Sequence, residues 1–179
     1  GIVGFLLVGA STAEARCNPN PTGASGVVVD AGNVPAGTVA GYSGEQLVNA
    51  MHILRAGAAL GLGVRDQTIG VMTAMGESSL RVVDHGDTAG PDSRGLFQQR
   101  DNGAWGSLAD RMDPTISATN FFKALERVDG WEALPPTIAA HRVQGNADPY
   151  HYEKFYGAAA TVVGILAGKG VTVCQSGYL

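Results

Sequence analysis

One apolar stretch limits the folds open to this chain of 179 residues. No ionisable side chain occurs from Gln67 to Gly76, and the large apolar residues within that stretch recur at helical spacing. The pattern predicts a buried helix from about Asp66 to Ser79, with Asp66 as its N-terminal cap. The remaining elements are then expected to pack around this helix and to cover it.

Four further segments have the apolar periodicity of helices and recognisable ends. They are predicted to begin at Ser43, Asp113, Pro135 and Asp148 and to end at Gly61, Gly130, Gly145 and Gly168. No alternating strand series and no internal repeat is visible. The sequence therefore predicts a mainly α domain over residues 43–168, with any β structure small and confined to the polar loop after the second helix.

The segments on either side of this domain have a different composition. Residues 1–15 are mainly apolar and contain Ala13-Glu14-Ala15, which has the form of a signal-peptidase site. We interpret them as a signal-peptide remnant of an exported protein; an N-terminal helix or a trimmed membrane anchor is the alternative. Residues 16–42 are rich in Gly and Pro and predict an arm wrapped on the domain, with a short strand at Val27–Val29. Residues 169–179 form a C-terminal tail.

The chain has two cysteines, Cys17 and Cys174, which lie near its opposite ends. In an exported protein such a pair is expected to form a disulfide. A bridge of this span would stabilise the fold by roughly 4–5 kcal/mol in the chain-entropy model. Two unrelated buried thiols are the alternative.

Composition narrows the possible functions. The chain is 45% hydrophobic and 16% charged, which is typical of a globular protein, and its net charge of -4 argues against a nucleic-acid binder. It contains no phosphate-binding or dinucleotide-binding fingerprint, and its four histidines lack the spacing of a metal-binding helix. We expect no metal and no organic cofactor, and a monomer.

Glu77 is the first ionisable residue after the apolar part of the predicted core helix. Apolar surroundings and the negative end of a helix dipole both disfavour a carboxylate, so both raise its pKa. A carboxyl group that stays protonated near neutral pH is suited to general acid catalysis. The alternative is an ordinary solvated glutamate at a helix end.

A long polar loop follows, and it carries Asp84, Asp87 and Asp92. Long loops in compact domains are often functional. The pattern of a calcium-binding loop is absent, so we do not expect calcium there. Trp105, farther along, either stacks on a sugar or covers the core, and the sequence slightly favours the core.

Three motifs, MGESSL, DSRGLFQQR and AAHRVQGNADPYHYEKF, together resemble the lysozyme-like domain of soluble lytic transglycosylases, especially that of actinobacterial and other Gram-positive cell-wall hydrolases. The resemblance covers about residues 43–168. It implies that Glu77, followed by Ser78, is the catalytic acid. It also implies that Gly95-Leu96-Phe97-Gln98 shapes the sugar cleft, with Gln98 bound to the glycan.

The third motif of that family is usually Ala-Tyr-Asn, and this chain departs from it. Arg142-Val143-Gln144 occupies the place, so Gln144 resembles the Asn and Val143 replaces the Tyr. In the family that tyrosine would steady the catalytic carboxyl group, and here Tyr150 or Tyr152 could supply it. The residues expected to bind substrate are Ser78, Gly95, Leu96, Phe97, Gln98, Gln144 and Tyr152.

The resemblance implies cleavage of the bond between N-acetylmuramic acid and N-acetylglucosamine in peptidoglycan, with a 1,6-anhydro product. A hydrolytic lysozyme is the alternative, and it would need a second carboxylate such as Asp87 or Asp92. A non-catalytic glycan-binding module of a larger cell-wall machine is a further alternative. We expect an exported or wall-associated protein, with further domains in a larger parent chain.

Overall fold

The computed structural model describes residues 26–168, and this part of the chain is mainly helical. Its α-helices are α1 (Glu45–Ala59), α2 (Val64–Ser78), α3 (Leu108–Met112), α4 (Pro114–Leu125), α5 (Pro136–Gln144) and α6 (Tyr156–Ala167). No β-strand occurs among residues 26–168, where the isolated antiparallel bridges Val39–Tyr42 and Arg94–Gln99 are the nearest approach to one. The predicted mainly α architecture is confirmed, and in the polar loop the predicted small β region amounts to the second bridge.

Helix α2 lies at the centre of the fold, as its composition predicts. It packs against α1, α4, α5 and α6, and every residue from Arg65 to Met75 is buried. Glycine allows the close approach of α4, because a Cβ at Gly70 would lie 2.5 Å from Cζ of Phe122. The predicted helix is therefore a core element that α1, α4, α5 and α6 cover.

The predicted helix ends are partly right. Asp113 caps α4 by accepting the backbone N–H groups of the second and third helical residues at 2.9 and 2.8 Å, and Gly145 ends α5 with a φ of 64°. The first helix starts at Glu45 rather than at Ser43, whose own N–H donates to the side chain of Gln46 at 3.1 Å. No side chain caps the N-terminus of this helix, whose N-cap residue is Gly44.

Two other boundaries differ because side chains predicted as caps take different roles. Asp66 does not cap α2, which follows Gly63; its carboxylate pairs with Arg65 at 3.2 Å inside the first turn. The last helix begins at Tyr156, well after Asp148, because turns and a short 3-10 helix intervene. The sequence analysis also missed the five-residue helix α3, which Ser107 and Asp110 cap reciprocally.

The described part of the N-terminal arm packs on the core but forms no strand. Val27 and Val29 are buried, whereas Val28 is 73% exposed. The side-chain amide of Gln67 pairs with both the N–H and the C=O of Val27, each at 2.8 Å, and Arg55 Nε donates to Val29 O at 2.6 Å. The backbone groups of Val27 and Val29 are thus hydrogen-bonded to side chains and not to the backbone of a second strand. The predicted strand at Val27–Val29 is therefore wrong.

Several predictions concern residues outside the described range 26–168. These are the signal-peptide remnant of residues 1–15, the Cys17–Cys174 disulfide and the C-terminal tail of residues 169–179. Among the helices that are described, none is both long and apolar enough to cross a membrane.

Candidate functional site

The candidate site is built on the C-terminal turn of α2, where Glu77 is the penultimate helical residue. Ser79 and Leu80 follow with left-handed φ values of 56° and 60°, which turn the chain sharply away from the helix. Left-handed conformations are unfavourable for such residues. Side chains of α1 hold the turn, because Gln46 Nε2 donates to Ser79 O and Asn49 Nδ2 donates to Leu80 O, both at 2.8 Å.

A second turn, residues 94–99, lies against the end of α2. Ser78 Oγ donates to Leu96 O at 2.7 Å and so joins the two segments. Gly95 has a φ of 78°, and a Cβ there would lie 2.0 Å from Arg111 O, so only glycine fits. Phe97 is fully buried and its ring stacks on Phe121 at 4.8 Å between centroids, which anchors the turn in the core.

Two donors meet at one oxygen of the Glu77 carboxyl group. The Tyr152 hydroxyl and Gln144 Nε2 both donate to Oε1, the amide at 3.1 Å. Gln144 Nε2 also donates to Phe97 O at 2.9 Å, which fixes the amide between α5 and the 94–99 turn. Within the described part of the chain, Oε2 accepts no hydrogen bond from a side chain. Because Oε1 accepts two bonds, Oε2 is the atom that carries the proton when Glu77 is neutral.

Burial raises the pKa of Glu77 above its ordinary value. Opposing contributions come first from the hydrogen bonds of Tyr152 and Gln144 and then from nearby His151, whereas nearby Asp87 raises the pKa slightly further. Burial, and then the neighbouring Glu77, also raise the pKa of the Tyr152 hydroxyl, which therefore remains protonated and remains a donor. The arrangement suits a carboxyl group that gives up a proton and takes one back.

Glu77 faces an open cleft of about 870 Å³. The predicted site residues Gln98 and Gln144 line this cleft with it, as does Asp87. Gln98 has a φ of 47°, and its amide donates to His85 O at 3.2 Å and to Gly95 O at 3.3 Å. The cleft therefore presents two side-chain amide groups as well as the carboxyl group.

The other residues predicted to bind substrate do not line the cleft. They are Ser78, Gly95, Leu96, Phe97 and Tyr152. Tyr152, Leu96 and Phe97 are at most 1% exposed, so their side chains are packed inside the protein and not on the surface of the cleft. Their contact with substrate stays a prediction. These five residues instead hold the carboxyl group and the 94–99 turn in place, through the contacts given above.

Trp105 lies at the wall of the cleft, half-buried, and does not belong to the hydrophobic core. The sequence analysis slightly favoured the core for this residue, and that interpretation is wrong. Trp105 follows a run of exposed polar and small residues, and no helix or strand holds it against the core. Its position at the cleft gives an aromatic surface that could meet a sugar ring.

The loop aspartates have different surroundings. Asp87 lines the cleft and accepts the N–H of Gly90 at 2.7 Å. Asp92 does not line it; its carboxylate binds Arg100 Nε at 2.7 Å and the Asp101 N–H at 2.8 Å, and these contacts, the backbone one first, lower its pKa. Asp84 is exposed and lies 3.3 Å from Arg94. Of the three, only Asp87 is placed to act in the cleft.

The sequence analysis missed His151, which also lines the cleft. Its Nε2 lies 3.3 Å from Gly76 O, and its ring meets the edge of Tyr152 at 4.9 Å between centroids. Gly76 makes this packing possible, since a Cβ there would lie 2.7 Å from Cδ1 of Tyr152. The signal in the sequence was Gly76, the glycine directly before Glu77. Its packing partner, Tyr152, lies 76 residues farther along the chain.

Among residues 26–168, no group of three or more His, Cys, Asp and Glu side chains is arranged to hold a metal ion. The chain was also compared with known proteins. No protein-family model matches it, and no curated protein matches it at a significant level. The geometry around Glu77 and the motifs of the sequence are therefore the observations that bear on function.

Proposed function

We propose that this protein is a peptidoglycan lytic transglycosylase with a lysozyme-like fold. One observation carries the proposal: the half-buried carboxyl group of Glu77 lines an open cleft and accepts two hydrogen bonds at Oε1, while no side chain among residues 26–168 donates to its other oxygen. A non-catalytic glycan binder has no need of a shielded acid in this position. The order of motifs along the chain supports the same family.

The first step would cleave the glycosidic bond. Glu77 donates the proton on Oε2 to the oxygen that links N-acetylmuramic acid to N-acetylglucosamine. The bond between that oxygen and the muramyl C1 breaks, and its electron pair leaves with the oxygen. Positive charge develops on the muramyl ring as an oxocarbenium-like state. The Glu77 carboxylate that results keeps the hydrogen bonds of Tyr152 and Gln144, which favour the anion.

The second step would close a ring within the muramyl unit. The Glu77 carboxylate takes the proton of the muramyl 6-hydroxyl, and that oxygen forms a bond to C1. The product is a 1,6-anhydro sugar, no water is consumed, and Glu77 is protonated again. The substrate supplies its own nucleophile, so one protein carboxyl group is enough. Both steps use only the Glu77 side chain and the substrate, and neither step requires a metal or an organic cofactor.

Hydrolysis by a lysozyme mechanism is the second candidate, and one observation favours it. Asp87 lines the same cleft as Glu77 and could activate a water molecule on the other face of the sugar. Asp92 is a weaker candidate for this role, because Arg100 and a backbone N–H already occupy its carboxylate. Under either reaction the substrate is peptidoglycan, so we also propose that the protein is exported and acts at the cell wall.

Mass spectrometry of the fragments released from purified peptidoglycan distinguishes the two reactions. We expect muramyl ends lighter by one water, as 1,6-anhydro products are. Glu77→Gln removes the transferable proton and should lower the rate by about 10²-fold to 10⁴-fold. Glu45→Gln, at an exposed glutamate of α1, is the matched control and should cut normally.

Other results would change the assignment. Ordinary reducing ends would indicate hydrolysis, and Asp87→Asn would then be expected to abolish cutting. A Glu77→Gln protein that cuts at the normal rate would show that Glu77 is not the acid. If the unmodified protein releases no fragments, the proposal of catalysis fails and a binding module is favoured.

A further inference from the structure

A second pocket, of about 340 Å³, opens beside the cleft. Ala104, Trp105 and Val143 line both the pocket and the cleft, so the two cavities adjoin each other at these residues. The pocket lies between α4 and α5 and is lined by three cationic side chains. These are Lys123 of α4, Arg127 in the turn directly after α4, and Arg142 of α5.

These three cations are not neutralised by neighbouring side chains. The ion pairs recorded among residues 26–168 engage Arg65, Arg94, Arg100 and Arg111, but none of the three cations. The nearby acidic residues in sequence, Glu126 and Asp129, do not line the pocket. Three like charges around one pocket repel each other, and this repulsion is relieved when an anion enters.

The cluster is not a general feature of the surface. The whole chain has 12 Lys and Arg residues against 16 Asp and Glu residues, and its net charge is -4. Three of those cations nevertheless meet at a single pocket. Such a local excess of one sign in a concave site is suited to the recognition of a ligand of the opposite sign.

We propose that this pocket binds the carboxylate groups of the peptide stem carried by the muramyl unit in the cleft. The inference rests on the proposed function, because it takes the cleft to hold a glycan strand. The peptide stem branches from the sugar itself, and because the pocket adjoins the cleft at Trp105, a branch on a sugar bound beside Trp105 would extend toward the pocket. Guanidinium groups such as those of Arg127 and Arg142 suit carboxylates because they donate two parallel hydrogen bonds. The enzyme would then prefer glycan strands that still carry stems with free carboxylates.

The test is a binding measurement that does not depend on cutting. The probe is a disaccharide of N-acetylglucosamine and N-acetylmuramic acid with a tetrapeptide stem, used with free carboxylates and with all carboxylates amidated. Calorimetry in the Glu77→Gln background compares the protein with and without the added pair Lys123→Gln and Arg127→Gln. Arg81→Gln is the matched control, since Arg81 is an exposed cation outside both cavities.

We expect the double replacement to weaken binding of the free-acid probe about tenfold, as loss of two exposed ion pairs implies, and to leave the amidated probe unaffected. Arg81→Gln should change neither. Added salt should weaken the free-acid probe more than the amidated one. Equal effects on the two probes, or no binding of the free-acid probe, would overturn the proposal. Tighter binding of an oligomer of glycerol phosphate than of the stem would also overturn it, in favour of a phosphate polymer.

The outcome is separable from that of the proposed function. If the unmodified protein cuts peptidoglycan but the charge variants bind both probes normally, only the pocket assignment fails. If the protein does not cut but discriminates between the probes through Lys123 and Arg127, the pocket assignment stands and the catalytic proposal fails.

Discussion

The Glu77 carboxyl group has two oxygens in unlike surroundings. Oε1 accepts hydrogen bonds from Tyr152 and Gln144, whereas Oε2 is left for the proton. Fixing which oxygen is protonated also fixes the direction in which the proton can leave. The side chains that do this come from the segment before α6 and from α5, so the orientation of one carboxyl group depends on contacts across the whole domain.

Replacement of Tyr152 by Phe should change the pH dependence of cutting. The hydroxyl hydrogen bond lowers the pKa of Glu77, so its loss raises that pKa further. The acid form then persists to higher pH, and the falling alkaline limb of kcat/KM should move to higher pH. Weaker orientation should also lower kcat roughly tenfold or more. A pH–rate profile on peptidoglycan fragments measures both effects.

The neighbouring Tyr150→Phe is the control, because Tyr150 is 61% exposed and outside the cleft lining. It should leave the profile unchanged. A lower rate in Tyr152→Phe without any shift of the alkaline limb would contradict a direct effect of the hydroxyl on the Glu77 pKa.

At this scale the sequence predicted some residues and not the contacts that define their roles. Glu77 stood out because it ends a stretch without ionisable side chains, and burial does raise its pKa. Gln144 was placed by its motif, and it does contact Glu77. Tyr150 or Tyr152 was expected to supply the tyrosine that steadies the catalytic carboxyl group, and Tyr152 is the one that contacts Glu77. The sequence could not choose between the two, because the bond joins residues 75 positions apart and no local pattern reports such a contact.

At the scale of elements, the site is the junction of the C-terminus of α2 with the 94–99 turn. The predicted positions of α2 and α5 were nearly right, since apolar periodicity, proline and glycine mark them in the sequence. For the turn, the resemblance implied only that Gly95-Leu96-Phe97-Gln98 shapes the sugar cleft, and not which conformation these residues adopt. The shape of the junction depends on left-handed residues that are not all glycine, because Leu80, which follows α2, and Gln98, in the turn, both have positive φ. Tertiary hydrogen bonds impose those conformations, so local sequence preference cannot reveal them.

Gly95→Ala should disrupt this junction, and Gly103→Ala provides the matched comparison. Both glycines have left-handed φ, 78° and 82°, so alanine costs each about 1 kcal/mol in backbone strain. Gly103 has open space around its missing Cβ, but at Gly95 the new atom would meet Arg111 O. We therefore expect Gly95→Ala to lower the free energy of unfolding by roughly 3 kcal/mol or more and Gly103→Ala by about 1 kcal/mol.

Urea unfolding followed by circular dichroism gives both values. The Gly95 variant should also lose a larger fraction of its cutting activity than of its folded protein, because the turn positions Gln98 in the cleft. Equal destabilisation by the two replacements would mean that backbone strain alone, and not the contact with Arg111, makes Gly95 necessary.

At the scale of the whole molecule, the arm and the helices share one core. Gln67, in the first turn of the central helix α2, pairs with Val27, and Val27 and Val29 are buried with the residues of α1 and α2. Sequence analysis placed the compact domain from residue 43 because the preceding residues have no periodicity. Alternation of only three valines is too short a signal to reveal that two of them enter the core.

Adjacent valines of the arm test whether it contributes to the stability of the fold. Val29 is fully buried and Val28 is 73% exposed, so the same replacement removes the same atoms from opposite environments. Val29→Ala should cost about 2 kcal/mol, from lost burial and the cavity left behind, and Val28→Ala less than about 0.5 kcal/mol. Urea unfolding of the two variants measures the difference directly. Similar small costs would mean that the helices are stable without the arm. A large cost at Val29 alone, in a single transition, would mean that residues before the first helix unfold together with the domain that holds Glu77.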